Sequence, residues 1–205
     1  MSTFGPSDIA SNAENGFEQG GVWTAAIAYV GNDSTSVHIG LRWNNVTIAP
    51  SATINSATIK LTPRNLTGTI TNVHGTIAGH KGDAPAFADG VFSPNVGFTP
   101  TTATVAFDPT VWTIDAADEY VATVTTIVQE IVNGTWSSGS DMAFRINDNS
   151  STSNNSARIY TFNDGDATRM AHLTIDYTEG AVTLQKSFRL SNNIRPNAFA
   201  PGFGR

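Results

Sequence analysis

Apolar and polar residues alternate with a period of two over most of the chain, the period of a strand with one buried face. Across residues 36–43, Val37, Ile39, Leu41 and Trp43 fall on one side and His38, Gly40 and Arg42 on the other. Residues 54–62 repeat the pattern with Ala57, Ile59 and Leu61 inward, and residues 103–107 with Ala103, Val105 and Phe107 inward. Met142, Phe144 and Ile146 alternate with Ala143, Arg145 and Asn147, and a last strand of the body turns Ala171, Leu173, Ile175 and Tyr177 inward. Residues 4–10 are expected as an edge strand, 22–30 as a strand with an alanine-rich middle, and 69–79 and 157–162 as further strands. Val111 and Trp112 follow a proline turn. Residues 11–21, 84–100 and 148–155 read as loops, because glycine, proline, asparagine and serine break any period there, and 163–166 reads as a tight turn. About nine short strands with frequent turns predict an all-β, antiparallel, jelly-roll-like β-sandwich.

One stretch, 120–146, departs from this period. Thr126, Ile127, Val128 and Gln129 spell a capping box, and Gly134 is placed for a left-handed stop, so a helix of roughly two turns is expected between them. Ile127, Val128 and Ile131 share a face, opposite Glu130 and Asn133. So many β-branched residues make a poor isolated helix. It is therefore expected to exist by plugging its apolar face into the open end of the sandwich.

Composition narrows the classes. At 205 residues the chain can bury one core, and no run approaches the ~20 apolar residues of a membrane span. The first ten residues show neither a basic nor an apolar signal region, so no secretion signal is expected. The absence of cysteine excludes disulfides and thiolate chemistry. Charge is divided unevenly: all 17 acidic residues lie at or before Glu179, with seven of the 11 basic ones, a net of −10. Beyond them stand Lys186, Arg189, Arg195 and Arg205 without an acid. This change of sign divides the chain into a sandwich domain, 1–179, and an extended C-terminal arm, 180–205.

The succession IGLRWNNVTIAPSATINSATIKLT, ATVAFDPTVWTID, TTIVQEIVNGTWSSGSDMAFRI, ARIYTFNDGD and AHLTIDYT resembles the DNRLRE-type β-sandwich domain of bacterial surface and secreted proteins, in order and over roughly residues 9–177. The resemblance implies a jelly-roll-like sandwich, often a carbohydrate-binding or adhesive accessory module, without an established catalytic set. It maps the family's helix and Trp-Ser-Ser-Gly turn onto residues 126–139, and makes Trp112 and Trp136 core residues rather than ligand platforms.

After the body, Val182, Leu184, Phe188 and Leu190 still alternate, which suggests one more strand. The ending LSNNIRPNAFAPGFGR is similar to the arms of tailed-phage structural proteins. Pro196 and Pro201 bar a helix, and Phe199 and Phe203 have no element to bury them. Phe188, Arg189, Arg195, Pro196, Phe199, Phe203 and Arg205 are the expected partner-binding residues, apolar rings and guanidiniums for an acidic neighbouring subunit. The basic residues are not interleaved with aromatics on a folded face, so nucleic acid is not an expected partner. No membrane partner is expected either.

The search for catalysis leaves little. His38, His74, His80 and His172 have no metal-ligand spacing, and His38 and His172 fall on outward strand faces. Asp118 with Glu119 and Asp164 with Asp166 stand where carboxylates serve turns and caps. No phosphate loop or nucleophile elbow is present. The expectation is thus a non-enzymatic virion structural protein of a tailed phage, without cofactor or metal. Its specific form is a capsid or head decoration protein that self-associates and meets a capsid protein through its arm. The alternative is a carbohydrate-binding or receptor-binding adhesive module, with Trp23, Tyr29 and Tyr160 as exposed rings for sugar stacking.

Overall fold

The computed structural model describes residues 1–67, 72–109 and 119–180, with all their side chains except those of residues 12 and 65–67. In them thirteen strands and one α-helix form, and the strands pair antiparallel into two sheets of a sandwich. The smaller sheet has the order β1 (Ser2–Asp8), β13 (His172–Thr178), β6 (Thr53–Leu61), β10 (Tyr120–Thr123). As expected, β1 lies at its edge. A register shift in β6 opposite Asp176 and Tyr177 restores the inward direction of Ile54, three positions before inward Ala57.

The larger sheet runs β7 (Pro63–Thr67), β12 (Asn155–Ile159), β4 (Ala28–Asp33), β5 (Thr35–Trp43), β11 (Met142–Asp148), β8 (Gly75–His80), β9 (Pro100–Phe107). Two more strands attach to it: β2 (Asn15–Gln19) pairs with β5, and β3 (Val22–Ala25) pairs with β2. These two correct the sequence reading. The expected loop at 11–21 contains a 3-10 turn at Asn12–Glu14 and then β2. The expected strand at 22–30 is two strands, broken where Ala26 takes a φ of 75° and donates its N–H to Asn15 O at 2.9 Å. The alanines there give the chain no branched side chain to hold an extended backbone.

The core forms where the inner faces meet: Ala57, Ile59, Leu61, Leu173, Ile175 and Tyr177 from one sheet, Ile39, Leu41, Trp43, Met142, Phe144 and Ile146 from the other. All lie as the alternation predicts. Trp43 and Trp136 are buried, and each indole N–H is satisfied by a carbonyl, Ser7 O at 2.8 Å and Ile48 O at 2.9 Å. Trp112 lies outside the described residues.

The helix α1 (Thr125–Asn133) does plug the sandwich, burying Ile127, Val128, Ile131 and Val132 in the same core. It docks closely because β8 offers Gly79: a Cβ there would stand 2.6 Å from Ile131 Cδ1 and 2.7 Å from Ile127 Cγ2. Its ends differ from expectation. Val124 takes the N-cap place, and no side chain caps it. Thr125 Oγ1 instead accepts the Ala57 N–H at 2.9 Å, and the Gln129 amide spans Ile54 N–H and Ala52 O at 2.9 and 3.0 Å. The start of β6 would otherwise leave backbone groups unpaired beside the core, which costs more than an uncapped helix end open to water. Gly134 is not left-handed; with φ −91° it donates its N–H to Ile131 O at 3.0 Å. No described helix is long and apolar enough to cross a membrane.

Candidate functional site

The larger sheet is covered on both faces, and its second cover is the most specialised region of the molecule. Alternation places His38, Gly40, Arg42, Ala143 and Arg145 toward solvent. In the structure Gly40, Arg42 and Ala143 are buried, and His38 and Arg145 are half-buried. The cover is the aperiodic stretch 84–100. Its Phe87, Phe92 and Phe98 form, with Ala84 and Ala143, a second apolar cluster that shares no member with the main core, and Trp23 of β3 packs against it. Trp23 lies on Phe87 with centroids 4.6 Å apart, Phe87 on Phe92 at 5.1 Å, and Phe92 on Phe98 at 5.7 Å. Gly40 lets this ladder lie flat on β5, since a Cβ there would stand 2.7 Å from Phe87 Cζ.

Polar side chains from the sheet hold the cover down. Glu18, 1 % exposed, accepts the Ser93 hydroxyl and, at 3.0 Å, the Asn95 N–H. Arg145 donates to Pro94 O at 2.7 Å, and its guanidinium stands 5.1 Å from the Phe98 ring centre. His80 Nδ1 accepts the Thr99 N–H at 3.0 Å, with the imidazole edge-on to Phe92 and Phe98. Burial pushes the His80 imidazole below its usual pKa, against a weaker pull from Asp83. His38 is lowered too, by burial first, while Glu18 and Asp148 act to raise it and Arg145 to lower it. At the start of the cover, buried Arg42 donates to Ala84 O at 2.9 Å and also to Glu14, Asp141 and Asn44. One guanidinium thereby ties together four chain segments.

Of the expected ring platforms, only Trp23 belongs to this arrangement. Trp23 is partly exposed, braced on Phe87, and its backbone N–H donates to Asp89 Oδ1 at 3.3 Å. Tyr29 is half-buried, edge-on to Phe17 at 5.4 Å and 5.9 Å from the Arg158 guanidinium. Tyr160 is 8 % exposed, with the Arg64 and Arg169 guanidiniums 5.1 and 5.2 Å from its centre, so the expectation of an exposed ring is corrected for this residue. Stacking by cations, and a hydroxyl that accepts from Arg169 at 2.9 Å, account for its burial. The arm residues Phe188, Arg189, Arg195, Pro196, Phe199, Phe203 and Arg205 lie outside the described residues.

Elsewhere, residues of catalytic type hold backbone. His74, Asp108 and Ser151 approach one another, with His74 Nδ1 and Asp108 Oδ1 2.9 Å apart. However, the Ser151 hydroxyl donates to His74 O at 3.0 Å rather than to the imidazole, so no base is set to activate it. Asp164 completes a capping box with Thr161, and Asp166 accepts the Thr168 N–H and hydroxyl, both in turns as expected. Beside α1 lies an open groove of about 620 Å³ holding Lys81, Gln129, Glu130 and Asn133. Burial acts to raise the Glu130 pKa, yet the Ala103 and Thr102 N–H groups and the Lys81 ammonium outweigh it and hold the group at about 2. That carboxylate blocks the free edge of β9, accepting both N–H bonds at 2.8 Å. Among the described residues no three His, Cys, Asp or Glu side chains gather to hold a metal ion.

Sequence reasoning did not find Glu18, His80 and the three phenylalanines of the cover. The available signal was three aromatic rings within a proline- and glycine-rich stretch, since a loop has no cause to carry Phe87, Phe92 and Phe98 unless it buries them. In comparisons with known proteins, no family model matches the chain and no curated protein is similar to it.

Proposed function

We propose that the chain is a non-enzymatic structural protein of a tailed-phage virion, a capsid or head decoration subunit built on a DNRLRE-like sandwich and anchored by residues 180–205. The observation that carries this reading is the charge split: a body with 17 acidic and seven basic residues, followed by four basic residues without an acid. Opposite charges on one chain favour contact between the arm of one copy and the body of another, or a capsid protein of similar acidity. The geometry of the body supports a scaffold, because three of its buried ionisable groups, Glu18, Arg42 and His80, each hold a loop in place.

The test is the solution mass of the full chain and of a chain ending at Glu179. An oligomer for the first and a monomer for the second supports the arm as the anchor, and equal oligomers would move the interface to the sandwich. Absence of the chain from the protein inventory of purified virions would end the proposal. The adhesive reading rests on Trp23, a partly exposed indole held flat by Phe87. Binding on a glycan array that is lost in Trp23→Ala would favour it.

A further inference from the structure

The cover has the construction of a detachable part. Its apolar cluster is separate from the main core, and one of its polar anchors, the His80 imidazole, works only without a proton on Nδ1, with a second imidazole, His38, close to another anchor, Glu18. His80 Nδ1 accepts the Thr99 N–H, so a proton there would turn an acceptor into a donor facing a donor. The resulting cation would stand beside the Phe92 and Phe98 rings, with the residue 7 % exposed. Of the charged groups around it, Asp83 in the following turn is the one that attracts such a cation, and burial outweighs it. His38 Nδ1 likewise accepts the Asp148 N–H at 3.0 Å. Its charged surroundings are Glu18 on β2, which itself holds Ser93 and Asn95, together with Arg145 and Asp148 on β11. A charged His38 would therefore compete for the carboxylate that anchors the cover.

We propose that residues 84–100 are an acid-released cover: proton uptake by His80 and His38 unlatches them from the larger sheet, and uncovers Phe87, Phe92 and Phe98, while the two-sheet body stays folded. The linkage sign agrees. Both imidazoles titrate lower in the closed state than when free, so the latch is at full strength above the free value of 6.5. It weakens as the pH falls from there through the closed-state values. Each pH unit of that displacement multiplies the open fraction by up to about ten. This inference is independent of the virion assignment.

Hydrogen exchange of the full chain at about pH 7.5 and about pH 5, corrected for intrinsic exchange, tests it across the imidazole range. The expected result is a loss of protection of about tenfold or more in peptides from 84–100, with peptides from β6 and β13 unchanged. In His80→Gln with His38→Gln the step shrinks to under about threefold, while His74→Gln, at a partly exposed histidine away from the cover, keeps it. The His80 ring proton, followed by NMR in the unaltered protein, titrates in step with the opening, which decides the matter if the double variant does not fold. Constant protection of 84–100, loss of protection in the cover and the body together, or a His80 midpoint apart from the opening would each overturn the proposal.

Discussion

Replacing Phe92 by alanine tests whether the cover is a cooperative unit of its own. Phe92 is 1 % exposed and touches Phe87, Phe98 and His80 at centroid separations of 5.1, 5.7 and 5.0 Å. Truncating a buried phenylalanine costs about 3–5 kcal/mol when the cavity cannot collapse. Each aromatic pair contributes about 0.5–1.5 kcal/mol within that. If Phe92 were in the main core, the whole amount would appear in global unfolding. Because its cluster shares no residue with that core, the loss falls first on the closing of 84–100. The expected outcome is cleavage by a protease within 84–100 under native conditions, about 10²-fold or more faster than in the parent. Urea unfolding of the body, followed by hydrogen exchange of peptides from β6 and β13, should shift by no more than about 1–2 kcal/mol. A global loss of the full 3–5 kcal/mol with no preferential cleavage would refute the separate cover. A loss below about 1 kcal/mol in both readouts would refute the packing itself.

Two further predictions concern the plug and the sheet edge. Gly79→Ala puts a methyl 2.6 Å from Ile131 Cδ1, and lifting α1 to admit it should cost about 1–3 kcal/mol in urea unfolding; an unchanged midpoint would mean that the helix is not seated there. Glu130→Ala removes the carboxylate held at about 2, against an ordinary 4.5, and after allowance for solvent screening should cost about 1–2 kcal/mol at neutral pH. Since the folded value is the lower one, that contribution is present above 4.5 and lost as the pH falls toward 2, so parent and variant should converge in acid; a constant gap would exclude the charge as its source.

The alternating strands were legible because each has one face on the core and polar or small neighbours in sequence, so inward Ile39, Leu41, Trp43, Phe144, Leu173 and Ile175 could be placed without a partner in view. The helix was legible in its buried face and misleading at its ends. A capping box over Thr126 to Gln129 describes what Thr and Gln can do at a helix start, whereas here the helix begins earlier, at Thr125 behind Val124, and the Gln129 side chain goes to backbone groups of β6 and of the residue before it. The same competition explains β2, whose short polar-looking run Asn15–Gln19 becomes a strand only because β5 and β3 supply its hydrogen bonds.

By itself, then, the order of residues determined the class of fold, the inward face of the central strands, the position of α1 and the charge contrast between residues 1–179 and 180–205. All of these are properties of local period and composition. Only the tertiary structure decided that the larger sheet is covered twice, that Glu18 and His80 are latches, and that Tyr160 is enclosed by arginines. Period two says that a strand has two faces and names the more apolar one. Whether the other face meets water depends on where a distant, aperiodic segment such as 84–100 comes to rest, and no local pattern carries that.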